Sequence, residues 1–236
     1  MPKPGDDPYS DAALLEEVRL WLERVSQSLP DKIEVAALGV REKAPFKALA
    51  VREALIWRAE EFTRSAYRLL LTGDLAAAVL IIRGVVECAA LMARLTQIVF
   101  ERHNSTPEDL DSTLSRMLSG WKKHEGEFPD AINILTFVDH LDKRTPGVRR
   151  AYDLMSEIAH PNWSGVAGLF SRDDTKTFVT YFGRFPNKTQ PITTHAILTL
   201  SASIALFESD YNNLGDLLPP WLAELQPLSL RCSSLR

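Results

Sequence analysis

Leu55, Ala59, Phe62, Ala66 and Leu69 step along the chain by four and three residues in alternation. Leu75, Ala78, Ile82, Val85, Ala89, Met92, Thr96 and Val99 keep the same spacing. An α-helix turns once in about 3.6 residues, so each set makes one apolar stripe, the packing seam of a helix. The first stripe belongs to a helix that begins near Pro45 and runs to Leu71. Thr72-Gly73 stops it, and Asp74 stands where the next helix takes its N-cap. That next helix runs to about Glu101. So short a link predicts an antiparallel hairpin of two helices, each roughly 40 Å long.

The other elements follow from similar signals. Ser10 or Asp11 caps a first helix carrying Leu14, Leu15, Val18, Trp21, Leu22 and Val25, which Leu29-Pro30 ends. Thr106-Pro107-Glu108 opens a short helix, and a connector rich in Gly, Trp and Lys surrounds Gly120. Helices are expected from about Pro129 to Leu141 and from about Pro146 to His160, where Pro161 terminates the second. Between Val166 and Gly183 the period changes. β-Branched and aromatic residues flank a polar turn at Arg172-Asp173-Asp174-Thr175-Lys176, which predicts a β-hairpin laid over the helices as an ornament. A last long helix is expected from near Thr193 to about Asn213, with Pro219-Pro220 ending the folded core. The fold class is therefore all-α: an antiparallel helical bundle with a small β-hairpin insertion near 166–183. A flexible leader is expected over 1–8, one domain over 9–218, and a partly loose tail over 219–236 with a short amphipathic stretch at Trp221–Leu225.

Composition narrows the function classes. The 236 residues are 45% hydrophobic and 25% charged, ordinary for a globular chain, with a formal net charge of −4. A protein that binds nucleic acid by neutralising phosphates carries a basic excess; this chain does not, although a local basic patch is compatible with it. The N-terminal Met-Pro-Lys-Pro-Gly-Asp-Asp has no apolar core of a secretory signal. The longest apolar run, Leu75 to Ile82, is closed by Arg83 and falls short of the ~20 residues of a membrane span. A cytoplasmic, bacterial setting without membrane contact is the expectation. Cys88 reads as a small buried hydrophobe and Cys232 as an exposed bystander, with no disulfide, zinc or cofactor implied.

Two clusters could carry chemistry. Arg83 and Glu87 are i, i+4 on the most apolar helix, with Arg94 on the same face; they form either an ion pair that fixes helix register or the wall of a polar pocket. Glu157 and His160 are i, i+3. His160 is either a helix C-cap or a general acid–base oriented by Glu157. Asp153 shares that face and Tyr152 lies one position over. Glu-x-x-His also occurs in di-iron bundles, but those need a second copy of the motif, and none occurs here. No metal is expected. Asn162-Trp163-Ser164-Gly165 follows; Trp163 is read as an anchor of the loop to the bundle, or alternatively as the aromatic rim of a pocket. His103, His124, His140 and His195 give weaker signals. Gly-x-Gly-x-x-Gly, P-loop, Gly-x-Ser-x-Gly and His-Glu-x-x-His are absent from the sequence.

The helix reading L-A-A-A-V-L-I-I-R-G-V-V-E and the later Y-D-L-M-S-E-I-A-H-P-N resemble a loose group of uncharacterised bacterial all-helical proteins, similar in turn to HEPN helical bundles. The likeness covers roughly residues 50 to 165. It implies a place in toxin–antitoxin or phage-defence systems and points to Arg83, Glu87, Glu157 and His160. Catalytic HEPN ribonucleases carry an Arg followed a few residues later by a His on one helix. Here Arg150 precedes His160 with nine intervening residues.

The leading expectation is a non-enzymatic binding or regulatory module that takes a protein partner or pairs with itself. The alternatives are a metal-independent ribonuclease using a pocket of Arg83, Glu87, Glu157 and His160, and a small-ligand sensor using the same pocket with Trp163 and the hairpin as lid; Tyr152, Asp153, Asn162 and Trp163 are the candidate binding residues. The readings differ in one geometric respect: an enzyme or sensor must bring the two clusters together around a concavity.

Overall fold

A computed structural model describes residue 7 and residues 9–122 and 128–226. The leader apart from Asp7, His124, Cys232 and the tail beyond Gln226 lie outside the described residues. The elements in chain order are α1 (Asp11–Ser26), α2 (Ala44–Thr72), α3 (Leu75–Phe100), α4 (Pro107–Ser119), α5 (Ile134–Arg144), α6 (Val148–Ala159), a single turn α7 (Ala167–Phe170), β1 (Ser171–Asp174), β2 (Val179–Phe182) and α8 (Pro186–Leu225). The fold is an all-α bundle with a small β-hairpin insertion.

The capping signals act where the sequence places them. The Ser10 side chain accepts from Ala13 N and Thr106 from Asp109 N. Gly73 takes the left-handed conformation (φ 73°) that closes α2. Gly73 N donates to Leu70 O and Asp74 N to Leu69 O, the paired bonds of a Schellman turn. Asp74 sits at the N-cap of α3, but its carboxylate does not cap the helix. It accepts instead from Thr72 Oγ1 (2.6 Å) and Arg184 (2.6 Å).

Helix α3 is the axis of the bundle, with α2, α5, α6 and α8 packed around it. Ile82, Val85, Met92, Leu95 and Val99 are sealed from solvent, and α1 and α4 close the outside through Val18, Trp21 and Leu114. By length and composition alone α3 and α8 are apolar enough to cross a bilayer. The uninterrupted apolar run within α3 is shorter, Leu75 to Ile82, where Arg83 closes it. In this fold most of the apolar surface of α3 packs against the four helices around it, while Leu80 and Phe100 face solvent.

Helix α8 differs most from expectation. It begins at Pro186 and continues through Pro191, Pro219 and Pro220 to Leu225, so the two prolines do not end the folded core. An interior proline costs about 3 kcal/mol through a lost backbone bond and a steric clash. Leu218 and Trp221 are buried on either side of the pair, and burying one large apolar side chain returns roughly 2–3 kcal/mol. Tertiary burial carries the helix past its breaker.

Helix α5 starts at Asn133, whose side chain accepts from Leu135 N, rather than at Pro129. The hairpin register also shifts. Arg172, Asp173 and Asp174 form β1 opposite Tyr181, Thr180 and Val179, and the turn lies over residues 175–178. Asp174 Oδ1 accepts from Lys176 N (2.9 Å) and Thr177 N (3.4 Å), which builds the turn after Asp174. Those donors hold its carboxyl below the ordinary value.

Candidate functional site

Tyr152 on α6 is 3% exposed and projects onto α3. Arg83 Nε donates to its phenolic oxygen at 3.0 Å, and the phenol donates to Glu87 Oε1 at 2.9 Å. Arg83 Nε lies 3.4 Å from Glu87 Oε1, so the three groups close a ring. The guanidinium also stands 5.2 Å from the centre of the Tyr152 ring. Burial raises the Tyr152 pKa, the Arg83 bond opposes the rise, and Glu87, which the proton serves, adds to it. The phenol therefore stays protonated. The three groups are thus bonded to one another, while the Arg83 and Glu87 side chains keep partial exposure, 31% and 24%.

The second cluster is organised differently. Glu157 Oε1 accepts from Asn162 Nδ2 (2.6 Å) and Ser164 Oγ (3.3 Å), and Asn162 Oδ1 accepts from Gly165 N (3.1 Å). Glu157 thus holds the Asn162–Gly165 loop and makes no hydrogen bond to His160. His160 is the C-cap of α6 in extended conformation (φ −78°, ψ 146°), with its side chain exposed. Its carbonyl accepts from Asn162 N at 2.8 Å. The loop crosses this helix end so closely that a Cβ on Gly165 would lie 2.2 Å from His160 O and 2.4 Å from Ile158 O. Asp153 faces solvent and pairs with Arg149, which also holds Asp139.

The structure therefore joins Arg83, Glu87 and Tyr152, and separately joins Glu157 and Asn162. It supplies no bond between the two sets. Trp163 is 74% exposed, so it does not anchor the loop to the bundle. Among the described residues no group of three or more His, Cys, Asp and Glu side chains is arranged to hold a metal.

Sequence reasoning missed two networks. Asp210, 1% exposed on α8, receives both Arg144 nitrogens from α5, Nη1 at 2.8 Å and Nη2 at 2.5 Å, while its carbonyl accepts from Thr96 Oγ1 at 3.0 Å. Three helices meet at that residue. Arg52, Glu53 and Tyr211 make another Arg–Glu–Tyr group, with the guanidinium 3.5 Å above the Tyr211 ring and the phenol 2.7 Å from Glu53 Oε2. Burial, then the bond to Glu53, raises the Tyr211 pKa. Arg94 also leaves its expected face-mate. It pairs with Gln97 (3.0 Å) and lines a cleft of about 380 Å³ with His140 and Lys143.

An open apolar surface lies elsewhere, on the loop and hairpin. Trp163 is followed by Val166 and Phe170, then Phe178 (94% exposed), Val179, Tyr181 and Phe182 (80%), all solvent-facing within one short stretch. All four residues of β2 are exposed. The hairpin is tethered at its root, where Lys188 Nζ donates to Ser171 O (2.5 Å) and Arg184 pairs with Asp74 (2.6 Å). A mainly apolar cavity of about 420 Å³ lies beside that root, among Leu75, Leu169, Phe170, Arg184, Phe185 and Thr189.

Comparison with protein-family models, with curated proteins and with solved structures finds no match to this chain.

Proposed function

We propose that this chain is a non-enzymatic interaction module in which the helical bundle presents the loop at Trp163 and the β-hairpin to a protein partner. The observation that carries the reading is β2, Val179–Phe182, exposed at every position. Apolar residues at a contact site contribute by leaving water together, and a run of exposed aromatics on a soluble surface marks such a site. The closed Arg83–Tyr152–Glu87 ring and the engagement of Glu157 with its own loop support this reading over a ribonuclease, whose acid–base and phosphate-binding groups need to be free and convergent. We take the protein to act in the cytoplasm, with α3 buried in its own bundle rather than in lipid. The likeness to HEPN bundles suggests a regulatory part in defence or a toxin–antitoxin pair.

One observation favours a second reading, a small-ligand sensor. The cavity of about 420 Å³ is largely apolar, carries the Asp74–Arg184 pair, and touches the root of the hairpin. That combination suits a compact ligand with an apolar body and a charged end.

Site-specific photocrosslinking tests the main reading. A photoreactive phenylalanine at position 178 or 182 yields a defined adduct in the source cells, while one at Leu20, exposed on α1, does not. Adducts of equal yield from all three positions, or from none, contradict it.

A further inference from the structure

We infer that the partner of the hairpin is a second copy of this chain, added edge to edge along β2 about a two-fold axis through Tyr181. The inference rests on the reading of the hairpin as the docking surface and names its occupant.

The two edges of the hairpin differ. Gly183 N donates to Phe170 O at 2.9 Å, which continues the β1–β2 register by one pair. Bonded and non-bonded pairs alternate along an antiparallel ladder. The main-chain groups of Val179 and Tyr181 therefore face β1, and those of Thr180 and Phe182 face outward. On β1 the outward groups belong to Ser171 and Asp173. That edge is closed: Lys188 Nζ occupies the Ser171 carbonyl, and the strand carries Arg172, Asp173 and Asp174. Charges and occupied carbonyls are how natural sheets blunt an edge. Strand β2 reads Val-Thr-Tyr-Phe with no charge, and no bond from outside the hairpin reaches the Thr180 or Phe182 main chain among the described residues.

The alternation also restricts the register. An antiparallel copy of β2 pairs only outward group with outward group. The register centred on Tyr181 sets Thr180 against Phe182 of the second copy and Phe182 against its Thr180, with the two tyrosines facing each other in the closer, non-bonded pair. Aromatic against β-branched and aromatic against aromatic are the favourable cross-strand pairs, and no like charges meet. The product is a four-stranded sheet in the order β1-β2-β2-β1. A lone two-stranded hairpin is marginal in water and needs further strands to stand independently. Self-pairing supplies them, and it sets the exposed Phe182 of each copy against Thr180 of the other.

A contact confined to one pair of four-residue strands is a weak, transient one, with an expected dissociation constant on the order of 10–100 µM. Sedimentation velocity of the full chain across that range reads it. Wild type shifts from monomer to dimer. Thr180→Pro deletes an outward N–H and leaves the main-chain β1–β2 ladder intact, at the loss of one exposed side-chain bond from Thr180 Oγ1 to Asp173 (2.7 Å), so it weakens dimerisation at least about tenfold while circular dichroism and melting temperature hold. In a Cys232→Ser background, Tyr181→Cys forms an inter-chain disulfide under mild oxidation and Val179→Cys does not, because only position 181 meets itself. Cys88 is buried and leaves both results unaffected. Wild type that stays monomeric, a dimer indifferent to Thr180→Pro, or equal crosslinking at 179 and 181 overturns the inference. The photocrosslinks separate the two levels. Adducts from 178 to a different protein, with monomeric wild type, sink self-pairing and leave the docking surface standing; no adduct from the hairpin sinks both.

Discussion

The phenol of Tyr152 stands between Arg83 and Glu87, accepting from one at 3.0 Å and donating to the other at 2.9 Å. A residue five positions before Glu157 on α6 thus completes the charged pair on α3, while Glu157 and His160 serve the loop that follows. Tyr152→Phe leaves the ion pair but strips each member of a buried partner. It is expected to cost about 1–3 kcal/mol in urea unfolding. His160→Ala is expected within about 0.5 kcal/mol of wild type. The reverse order would return His160 to the centre of the account.

Glu157 acts on the loop through Asn162 and Ser164. In Glu157→Ala the Asn162 side chain loses its anchor, and the Gly165 amide, held by Asn162 Oδ1, exchanges with solvent faster, on the order of tenfold. Gly165→Ala drives a methyl into two carbonyl oxygens and displaces the loop. Unchanged exchange at Gly165 in Glu157→Ala would show that the loop stands without it.

The helical hairpin was legible because both arms carry a 3-4 stripe and the Thr72-Gly73-Asp74 link admits few geometries. The partners of those stripes were not. Periodicity says which face of a helix is buried and nothing of which helix covers it, so the bond from Arg83 to Tyr152 across α3 and α6 has no signal in spacing. Asp210 was invisible for the same reason. A single Asp in an amphipathic pattern reads as solvent-facing until Arg144 is seen to neutralise it. In α8, proline was weighed as a local breaker, and the burial of Trp221 outweighed it.

The Arg144–Asp210 bond gives the largest stability effect we expect. Arg144→Met strands a carboxylate that is 2% exposed. Because Arg144 is half exposed, the loss is discounted to about 2–3 kcal/mol, a drop in melting temperature of roughly 4–12 °C for a chain of this size. Lys47→Met breaks a pair with the exposed Asp111 and is expected to change stability by less than about 1 kcal/mol. Equal losses would mean that burial of Asp210 is not what sets the cost.

His140 gives the pH signature. Burial, then Arg94, then Lys143 lower its pKa below the ordinary 6.5, against the opposing pull of Asp139 and Glu101. The fold thus favours the neutral imidazole. Its contribution is complete above the unfolded pKa of about 6.5 and is lost as pH falls through the lower folded value. Proton NMR is expected to place the His140 midpoint below the ordinary value, and Arg94→Met to raise it. A midpoint unmoved by Arg94→Met contradicts the assignment.

The most direct test of the hairpin as a docking edge is amide hydrogen exchange across Val179–Phe182 at low and high protein concentration. The account predicts protection at Val179 and Tyr181 throughout, and protection at Thr180 and Phe182 that rises with concentration. Thr180 and Phe182 amides that exchange freely at every concentration would contradict it.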